Sequence, residues 1–450
     1  MKSAQSHKQK NPPKHLDLKK ALLYEQKSMT EADVPIVTVS GTFKKELAKY
    51  FHTTPSLEGD VLYSRAHYSM AEAVRQQALS QDLSTYLIDP MNYVGQEGWK
   101  KVVFTQTVGR LMARHKLLRW LKDQVDTIAR SKLPISEAIT PPLLYLSNFV
   151  KKPIISMHYE AGNILSANRF PILQYITDPH VRPQYLDPLP SLDTPKDQHF
   201  HGHVTYAVFD QNTKKEVFRV AKELNKRVEE DQVIVVGPPV DPRIIEIGKK
   251  HPKKITRDKP INIAITTGGV GTNYKEIKTL LHRLYPLLKP PEKIRLFLYT
   301  AVHKDFREMF ETFAEEHHIR IGDIDDQEAR IRILHEDSIL DANENLIEHM
   351  FPWAHAVITK PSGDMAYDAI AAGCFTLFLQ PLGPWEENIQ KIFIKEDIGF
   401  DYHVDTALSH FRSLYSHGKF HQALRNIKTL DPLYTSGVKN LLKTYKKISK

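Results

Sequence analysis

The sequence predicts an α/β protein made of two doubly wound, Rossmann-like domains that face each other across a cleft. Short apolar runs alternate with helical segments along most of the chain, which is typical of parallel sheets with crossover helices. Strand–turn–helix units at 261–284 and 355–388 mark the places where such sheets bind ligands. A proline-rich segment, Gly237–Arg243, separates the two halves, and 450 residues are many for a single core.

The composition is that of a soluble globular protein, with 41% hydrophobic and 26% charged residues. No apolar run approaches the length of a membrane span and no signal-peptide core follows the lysine-rich start, so a cytoplasmic protein is expected. The single cysteine, Cys374, excludes an internal disulfide and a multi-cysteine metal site. The net charge of +9 indicates a polyanionic partner (nucleic acid, anionic lipid or a phosphorylated substrate) or simply a solvated basic surface.

Composition also suggests the domain boundaries. The predicted segments are a disordered basic arm at 1–30, a first domain at 31–245, a second domain at 246–425 and a basic carboxyl-terminal helix at 426–450. The inter-domain linker is expected at the basic, polar stretch Lys249–Lys259. The arm either contacts acidic lipid or has no binding role.

The first domain opens with two strand-like runs, Val34–Val39 and Asp60–Ser64. The second run leads through a turn containing His67 to an alanine-rich helix at 70–79. A strand, a tight turn and a helix in this order form a loop that can face a phosphate. His67 is therefore a candidate site residue, with a purely structural role as the alternative.

The most amphipathic segment of the chain is 108–132, where Leu111, Leu118 and Leu121 follow one helical face. Basic residues and Trp120 cluster in its first half. Such a helix suits a membrane surface, but a helix that packs on a sheet with its charges in water has the same pattern and is commoner.

Asp178 and His180 directly follow the strand-like run Ile172–Thr177, so we expect both at the mouth of the first sheet. A carboxylate beside a histidine can fix its tautomer or act as a base, whereas an Asx turn is the structural alternative. The next loop, at 191–203, carries three alternating histidines but no carboxylate at ligand spacing, so no metal site is predicted there.

The second domain begins with the strand-like run Ile261–Thr266, a glycine-rich turn and a helix at 275–284. Three glycines in four positions let backbone N–H groups approach a phosphate at the start of a helix. The turn at Gly268–Thr272 is therefore a candidate cradle for a diphosphate.

The stretch 355–388 is the strongest signal in the chain. It reads as a strand, a polar turn at Lys360–Asp364, a small-residue helix stopped by Gly373, a second strand and a loop that ends at Glu386–Asn388. Asp368 lies one turn into the helix, near the end where anions and hydroxyl-rich ligands dock.

These motifs resemble the nucleotide-sugar site of GT-B glycosyltransferases, in particular glycosyltransferase family 28 and monogalactosyldiacylglycerol synthase-like enzymes. The string Gly237–Arg243 matches the family segment G-x-P-V-D-P-R, and the glycine turn precedes the 355–388 block in the family register. Asp368 stands where the family has a Glu that binds the donor ribose. His67 matches a family histidine, but the glycines before it are replaced by Ser64, Arg65 and Ala66.

The resemblance implies an inverting, metal-independent transfer of a sugar from a UDP-sugar to a hydroxyl acceptor, with the UDP-sugar as co-substrate and no cofactor. The implied catalytic residues are His67, Asp178 and His180. The implied donor-binding residues are Gly268, Gly269, Val270, Gly271, Thr272, Lys360, Ser362, Gly363, Asp368, Glu386, Glu387 and Asn388.

The family suggests a membrane lipid such as diacylglycerol as the acceptor, and peripheral contact with an anionic membrane at its cytoplasmic face. Nucleic acid is not expected, because the basic residues do not concentrate in one module. A nucleotide-sugar 2-epimerase and a non-catalytic nucleotide-sugar-binding relative remain as alternatives.

Overall fold

The computed structural model of the protein describes residues 18–42, 65–94, 134–195, 203–268, 271, 273–289 and 294–450. Three features named above lie wholly or partly outside the described residues: the first 17 residues of the basic arm, the strand-like run 60–64 and the amphipathic segment 108–132. The described remainder of the predicted arm is helical rather than disordered, because Ala21 and Met29 are buried against the first domain's other residues.

The first domain is built on a parallel sheet with the strand order β2-β1-β3-β4-β5-β6. Its strands are β1 Val34–Val37, β2 Thr85–Ile88, β3 Ile154–Ser156, β4 Ile172–Tyr175, β5 Val204–Val208 and β6 Val233–Val235. Every residue of β3, β4 and β5 is buried, which is why these strands are nearly continuous apolar runs rather than alternating ones.

Helices cover this sheet. They are α1 Leu18–Glu31, α2 Arg65–Leu79, α3 Pro134–Ser147, α4 Tyr159–Ala167, α5 Gln211–Glu223 and α6 Pro242–Lys250. Short 3-10 turns occur at Pro90–Tyr93, Pro183–Leu186 and Glu230–Gln232.

The second domain is built on a parallel sheet with the strand order β13-β12-β11-β7-β8-β10-β9. Its strands are β7 Ile261–Thr266, β8 Ile294–Ala301, β9 Ile321–Gly322, β10 Ile331–His335, β11 Ala356–Thr359, β12 Phe375–Phe378 and β13 Gly399–Asp401.

The helices after β7 complete this domain and return to the first. They are α7 Tyr274–Leu284, α8 Lys304–Glu316, α9 Ile339–Asn345, α10 Met365–Ala371, α11 Pro384–Lys395, α12 Ala407–Ser416, α13 Lys419–Asn426 and α14 Leu433–Ile448. A π-helical turn, Leu346–Met350, extends α9, and 3-10 turns occur at Tyr285–Leu288, Val404–Thr406 and Ile427–Thr429. The two doubly wound domains predicted from the alternating pattern are confirmed.

Two differences from the sequence prediction have clear local causes. Helix α2 includes Arg65, so His67 lies in its first helical turn rather than in a loop before it. Helix α5 begins at Gln211, two residues earlier than predicted, because the Asp210 carboxylate accepts a hydrogen bond from the Thr213 N–H at 2.7 Å and caps the helix.

The two domains share a packed interface. Helix α14 lies against the first domain, where the Tyr445 hydroxyl donates to the Asp33 carbonyl (2.9 Å) and the Asn440 amide to the Val236 carbonyl (2.9 Å). Arg243, at the end of the proline-rich segment, pairs with Asp241 at 2.8 Å and reaches Glu344 of α9 at 2.7 Å. The domain that carries the glycine-rich turn is therefore held in a defined orientation to the domain that carries His67.

Candidate functional site

The site lies where the strand order of the second sheet reverses. Strands β7 and β11 are neighbours there, and the helices that follow them, α7 and α10, continue the chain in opposite directions along the sheet. The Thr266 and Thr359 hydroxyls at their ends are 2.8 Å apart and buried. In doubly wound sheets this crevice at the carboxyl ends of the strands is the usual ligand site.

The glycine-rich turn follows β7 and opens α7. The Gly268 N–H donates to the Asn273 side-chain oxygen (3.3 Å), and the Gly271 N–H donates to the Gly268 carbonyl (2.8 Å). Gly271 has φ +61°, a conformation that favours glycine. A Cβ atom on Gly268 would lie 3.1 Å from Cδ of Lys360, so the turn packs directly on that side chain. Gly269, Val270 and Thr272 lie outside the described residues.

Lys360 and Glu386 form a buried ion pair at the edge of this turn. The Lys360 ammonium is 3.3 Å from Oε2 of Glu386, and both side chains are less than a tenth exposed. The same carboxylate oxygen accepts a hydrogen bond from the Leu382 N–H at 2.5 Å, which ties the loop after β12 to Glu386. Glu386 lies in the first turn of α11 rather than in the predicted loop, so the pair joins the polar turn after β11 to the start of α11.

Asp364 and Asp368 lie on the next part of the site and are bound by an arginine from the other domain. Arg65 of α2 donates to Oδ2 of Asp364 at 3.1 Å and to Oδ2 of Asp368 at 3.3 Å, and its second nitrogen donates to Asn343 at 2.6 Å. Burial raises the pKa of Asp368 to about 7, and the nearby Arg65 guanidinium opposes that shift. Ser362 donates to Oδ1 of Asp364 at 2.7 Å, which fixes the carboxylate toward the arginine.

A pocket with a cavity volume of about 60 Å³ lies among these elements. It is lined by Arg65, Thr267, Gly268, Tyr299, Ala301, Val302, His303, Ile339, Ala342, Thr359, Lys360, Ser362, Asp364, Met365 and Glu386. Three buried polar atoms in or beside it have no hydrogen-bond partner within the described part of the chain: Thr267 Oγ1, Tyr299 OH and Asn273 Nδ2. Unpaired buried polar groups are costly, so they mark a place where a polar ligand would be stabilised.

His67 and Asp178 lie on the first-domain side of the cleft. The half-buried His67 ring packs edge to face on the His158 ring, with centroids 4.9 Å apart, and burial together with the Arg182 charge lowers the pKa of His67 to about 4. Burial raises the pKa of Asp178 to about 6, whereas the Arg182 guanidinium, which lies 4.0 Å from Oδ2 of Asp178, lowers that pKa. At neutral pH the imidazole is therefore uncharged and most of the carboxylate is ionised.

His180 has a different neighbour. Its Nδ1 atom lies 3.2 Å from Oε1 of Glu216 on α5, and the other oxygen of that carboxylate accepts a hydrogen bond from the Val181 N–H. The contact belongs to the first domain alone and does not reach the pocket.

The second-domain loops contact the first domain close to Asp178. A Cβ atom on Gly363 would lie 2.6 Å from the Thr177 carbonyl and 2.9 Å from Oδ1 of Asp178, so only glycine fits this approach. The Asn388 amide donates to the Pro179 carbonyl at 3.0 Å. Glu387, in contrast, is exposed and pairs with Lys391 on the surface.

Sequence reasoning did not select Arg65, Asn343 or Tyr299. Arg65 is visible in the sequence only as a departure from the glycines expected before His67, and nothing local indicates that it reaches a carboxylate 303 residues away. Asn343 lies in a short helix, and Tyr299 lies in a strand where an aromatic residue is expected for packing.

Comparisons with known proteins establish the fold. The sequence matches no family model and no curated protein. Among solved structures, S. aureus MnaA with UDP matches at a TM-score of 0.50 and 12% identity, over 86% of this chain and 95% of that chain. UDP-GlcNAc 2-epimerase from Neisseria meningitidis bound to UDP-GlcNAc matches at a TM-score of 0.51 and 12% identity, over 85% of this chain and 96% of that chain. MurG of Acinetobacter baumannii matches at a TM-score of 0.45 and 13% identity, over 92% of this chain and 98% of that chain.

At these identities the likeness concerns the fold alone. The first two matches and the two facing parallel sheets define a GT-B fold, which confirms the predicted fold class. In the described residues no helix is both long and apolar enough to cross a membrane.

Proposed function

We propose that the protein is an inverting, metal-independent glycosyltransferase that moves a sugar from a UDP-sugar to a hydroxyl acceptor. One observation carries the proposal. Gly268 of the glycine-rich turn, the Lys360–Glu386 pair and Asp364 line one pocket at the switch point of the second sheet, and Arg65, which also lines it, donates to Asp368. Asp178 of the first domain lies against Gly363 of the same polar turn.

The diphosphate is assigned to the mouth of α7. The described N–H groups of Gly268 and Gly271 bond within the turn, so the polar atoms left for a ligand there are Thr267 Oγ1 and Asn273 Nδ2. The Lys360 ammonium and the amino terminus of the 11-residue helix supply the positive potential that a leaving diphosphate needs.

The ribose is assigned to Asp368. Arg65 donates to Oδ2 of this carboxylate and thereby positions it. We assign the ribose hydroxyls to the other carboxylate oxygen, Oδ1. The donor sugar is assigned to Glu386 and Asn388 at the start of α11.

The reaction is a single displacement. The acceptor oxygen bonds to the anomeric carbon as the bond to the diphosphate oxygen breaks, and that electron pair leaves with UDP. We assign the acceptor proton to Asp178, whose pKa of about 6 suits a general base near neutral pH. His67 is the second candidate base, and His180 is assigned an assisting electrostatic role.

The acceptor is proposed to be a membrane lipid such as diacylglycerol, reached by peripheral contact with an anionic membrane from the cytoplasm. The support is the sequence resemblance and the net charge of +9, which favours anionic surfaces. A UDP-sugar 2-epimerase is the second candidate, because a solved structure that matches at a TM-score of 0.51 is described as a UDP-GlcNAc 2-epimerase.

The first experiment measures thermal stabilisation by UDP in three proteins: wild type, Asp368→Asn and Asp258→Asn, which changes an exposed aspartate outside the site. We expect UDP to raise Tm in wild type and Asp258→Asn and to have little effect on Asp368→Asn. Equal stabilisation of all three proteins would contradict the placement of the ribose, and no stabilisation of wild type would contradict nucleotide binding.

The second experiment separates the two activities. UDP-sugars are incubated with the protein, with and without diacylglycerol in anionic vesicles, and nucleotides and lipids are analysed. Release of UDP that depends on the vesicles, with a glycosylated lipid, supports the transferase. Conversion of the donor sugar to an epimer without any acceptor supports the epimerase.

A further inference from the structure

The second domain carries a cluster of potential metal ligands that is separate from the pocket. His282 lies in the last turn of α7, and Glu316 and His317 lie at the end of α8. One ligand atom from each residue lies within 4.8 Å of the others. None of the three residues lines the cleft pocket.

We propose that His282, Glu316 and His317 form a binding site for a divalent cation of the Zn²⁺ type. Two imidazole nitrogens and one carboxylate oxygen form a three-residue ligand set that zinc accepts, with water in the fourth position. The proposal is independent of the function proposed above.

The separation of the two rings fits a metal better than a direct hydrogen bond. Nε2 of His317 lies 3.4 Å from Nδ1 of His282. Two nitrogens at about 2.0–2.1 Å from a tetrahedral zinc ion are separated by about 3.3–3.4 Å, whereas an N–H···N contact of that length is weak. Glu316 is exposed, so its flexible side chain can complete the set without moving the backbone.

The rings are held in place before any ion binds. His317 stacks on Tyr285 with centroids 3.8 Å apart and packs edge to face on Phe313 at 4.7 Å. His282 packs edge to face on the same Phe313 ring at 5.4 Å. Ligands that are already oriented lose less conformational entropy when a metal binds.

The local electrostatics also favour a cation. Both histidines lie at helix carboxyl termini, where backbone carbonyls give a partial negative charge. The nearby Lys289 ammonium lies over the Tyr285 ring at 4.1 Å, so that aromatic face partly offsets its charge.

A bound ion would join the ends of α7 and α8 and stabilise the second domain. The test uses the full chain without a polyhistidine tag, made metal-free with a chelator and titrated with Zn²⁺ by calorimetry and in thermal melts. We expect one Zn²⁺ per chain and a rise in Tm of about 5 °C or more at an excess of about 100 Kd.

Variants locate the ion. His282→Ala and His317→Ala are expected to lose this Zn²⁺ and the Tm rise, and Glu316→Gln is expected to bind more weakly. His421→Ala, at an exposed histidine elsewhere in the second domain, is the matched control and should bind as wild type does. Because Glu316 is exposed, melts of Glu316→Gln without metal should match those of wild type.

Co²⁺ gives a second readout of the same site, since a tetrahedral site with histidine ligands produces intense visible absorption in wild type and His421→Ala only. The proposal is overturned if wild type binds no Zn²⁺, or if both single-histidine variants bind as much as wild type.

Discussion

Replacing Arg65 with methionine tests how the two domains are joined at the site. The change removes a guanidinium that is only 7% exposed and leaves the Asp364 and Asp368 carboxylates buried against each other. Breaking a buried ion pair from one side costs about 3–5 kcal/mol. We expect Arg65→Met to lower the free energy of unfolding by that amount at pH 7.

The pH dependence of the unfolding free energy gives a second check on this predicted loss of stability. Burial already raises the pKa of Asp368 from its ordinary 3.8 to about 7 in wild type, while the Arg65 guanidinium opposes that shift. Without the guanidinium the pKa of Asp368 rises further, and each further pKa unit costs the variant about 1.4 kcal/mol relative to wild type at a pH above that value. The folded-state pKa is raised, so the variant is relatively most stable at low pH and loses stability as the pH rises.

The measurement is urea unfolding at pH 6, pH 7 and pH 9, followed by circular dichroism. The difference between wild type and Arg65→Met should grow as the pH rises above about 7, by about 1.4 kcal/mol for each unit by which the pKa of Asp368 has risen in the variant. The double variant Arg65→Met/Asp368→Asn should regain part of the loss, because it buries one charge fewer. A single variant within about 1 kcal/mol of wild type at pH 7, or a difference that does not depend on pH, would refute this account of the contact.

Three further predictions concern single residues. Burial raises the pKa of Glu25 to about 8, so wild type should lose up to about 4 kcal/mol of stability as the pH rises from about 4.5 to 8. The unfolding free energy of Glu25→Gln should lack this pH dependence. Parallel stability–pH curves for the two proteins would contradict the raised pKa of Glu25. In α14, Gly437→Ala would place a Cβ atom against the Pro238 carbonyl and should lower the free energy of unfolding by about 1–3 kcal/mol, whereas the exposed Lys439→Ala should be neutral in the same denaturation experiment. Under the proposed function, kcat/KM should fall below about pH 6 as Asp178 takes up a proton. Asp178→Asn should remove most of the activity, and its residual kcat/KM should not show this fall at low pH. If the residual activity of Asp178→Asn still falls below about pH 6, Asp178 is excluded as the base.

Strand positions were largely predictable because they depend on local pattern. The runs Ile261–Thr266 and Ala356–Thr359 were predicted with the bounds that the structure has. A strand buried on both faces must be continuously apolar, and the turns that bound it need glycine or proline, so both signals are present in the sequence itself. Helix starts were less accurate where a cap decides them, as at Asp210.

The sequence by itself determined that two parallel-sheet domains form and that a glycine-rich turn and an acid-bearing helix each follow a strand of the second one. Only the tertiary structure decided which groups meet in the cleft. In the folded protein Arg65 pairs with Asp368, and His180 lies beside Glu216. Pattern and propensity act over a few residues, whereas these contacts depend on how two domains close on each other, and no spacing within one segment encodes that geometry.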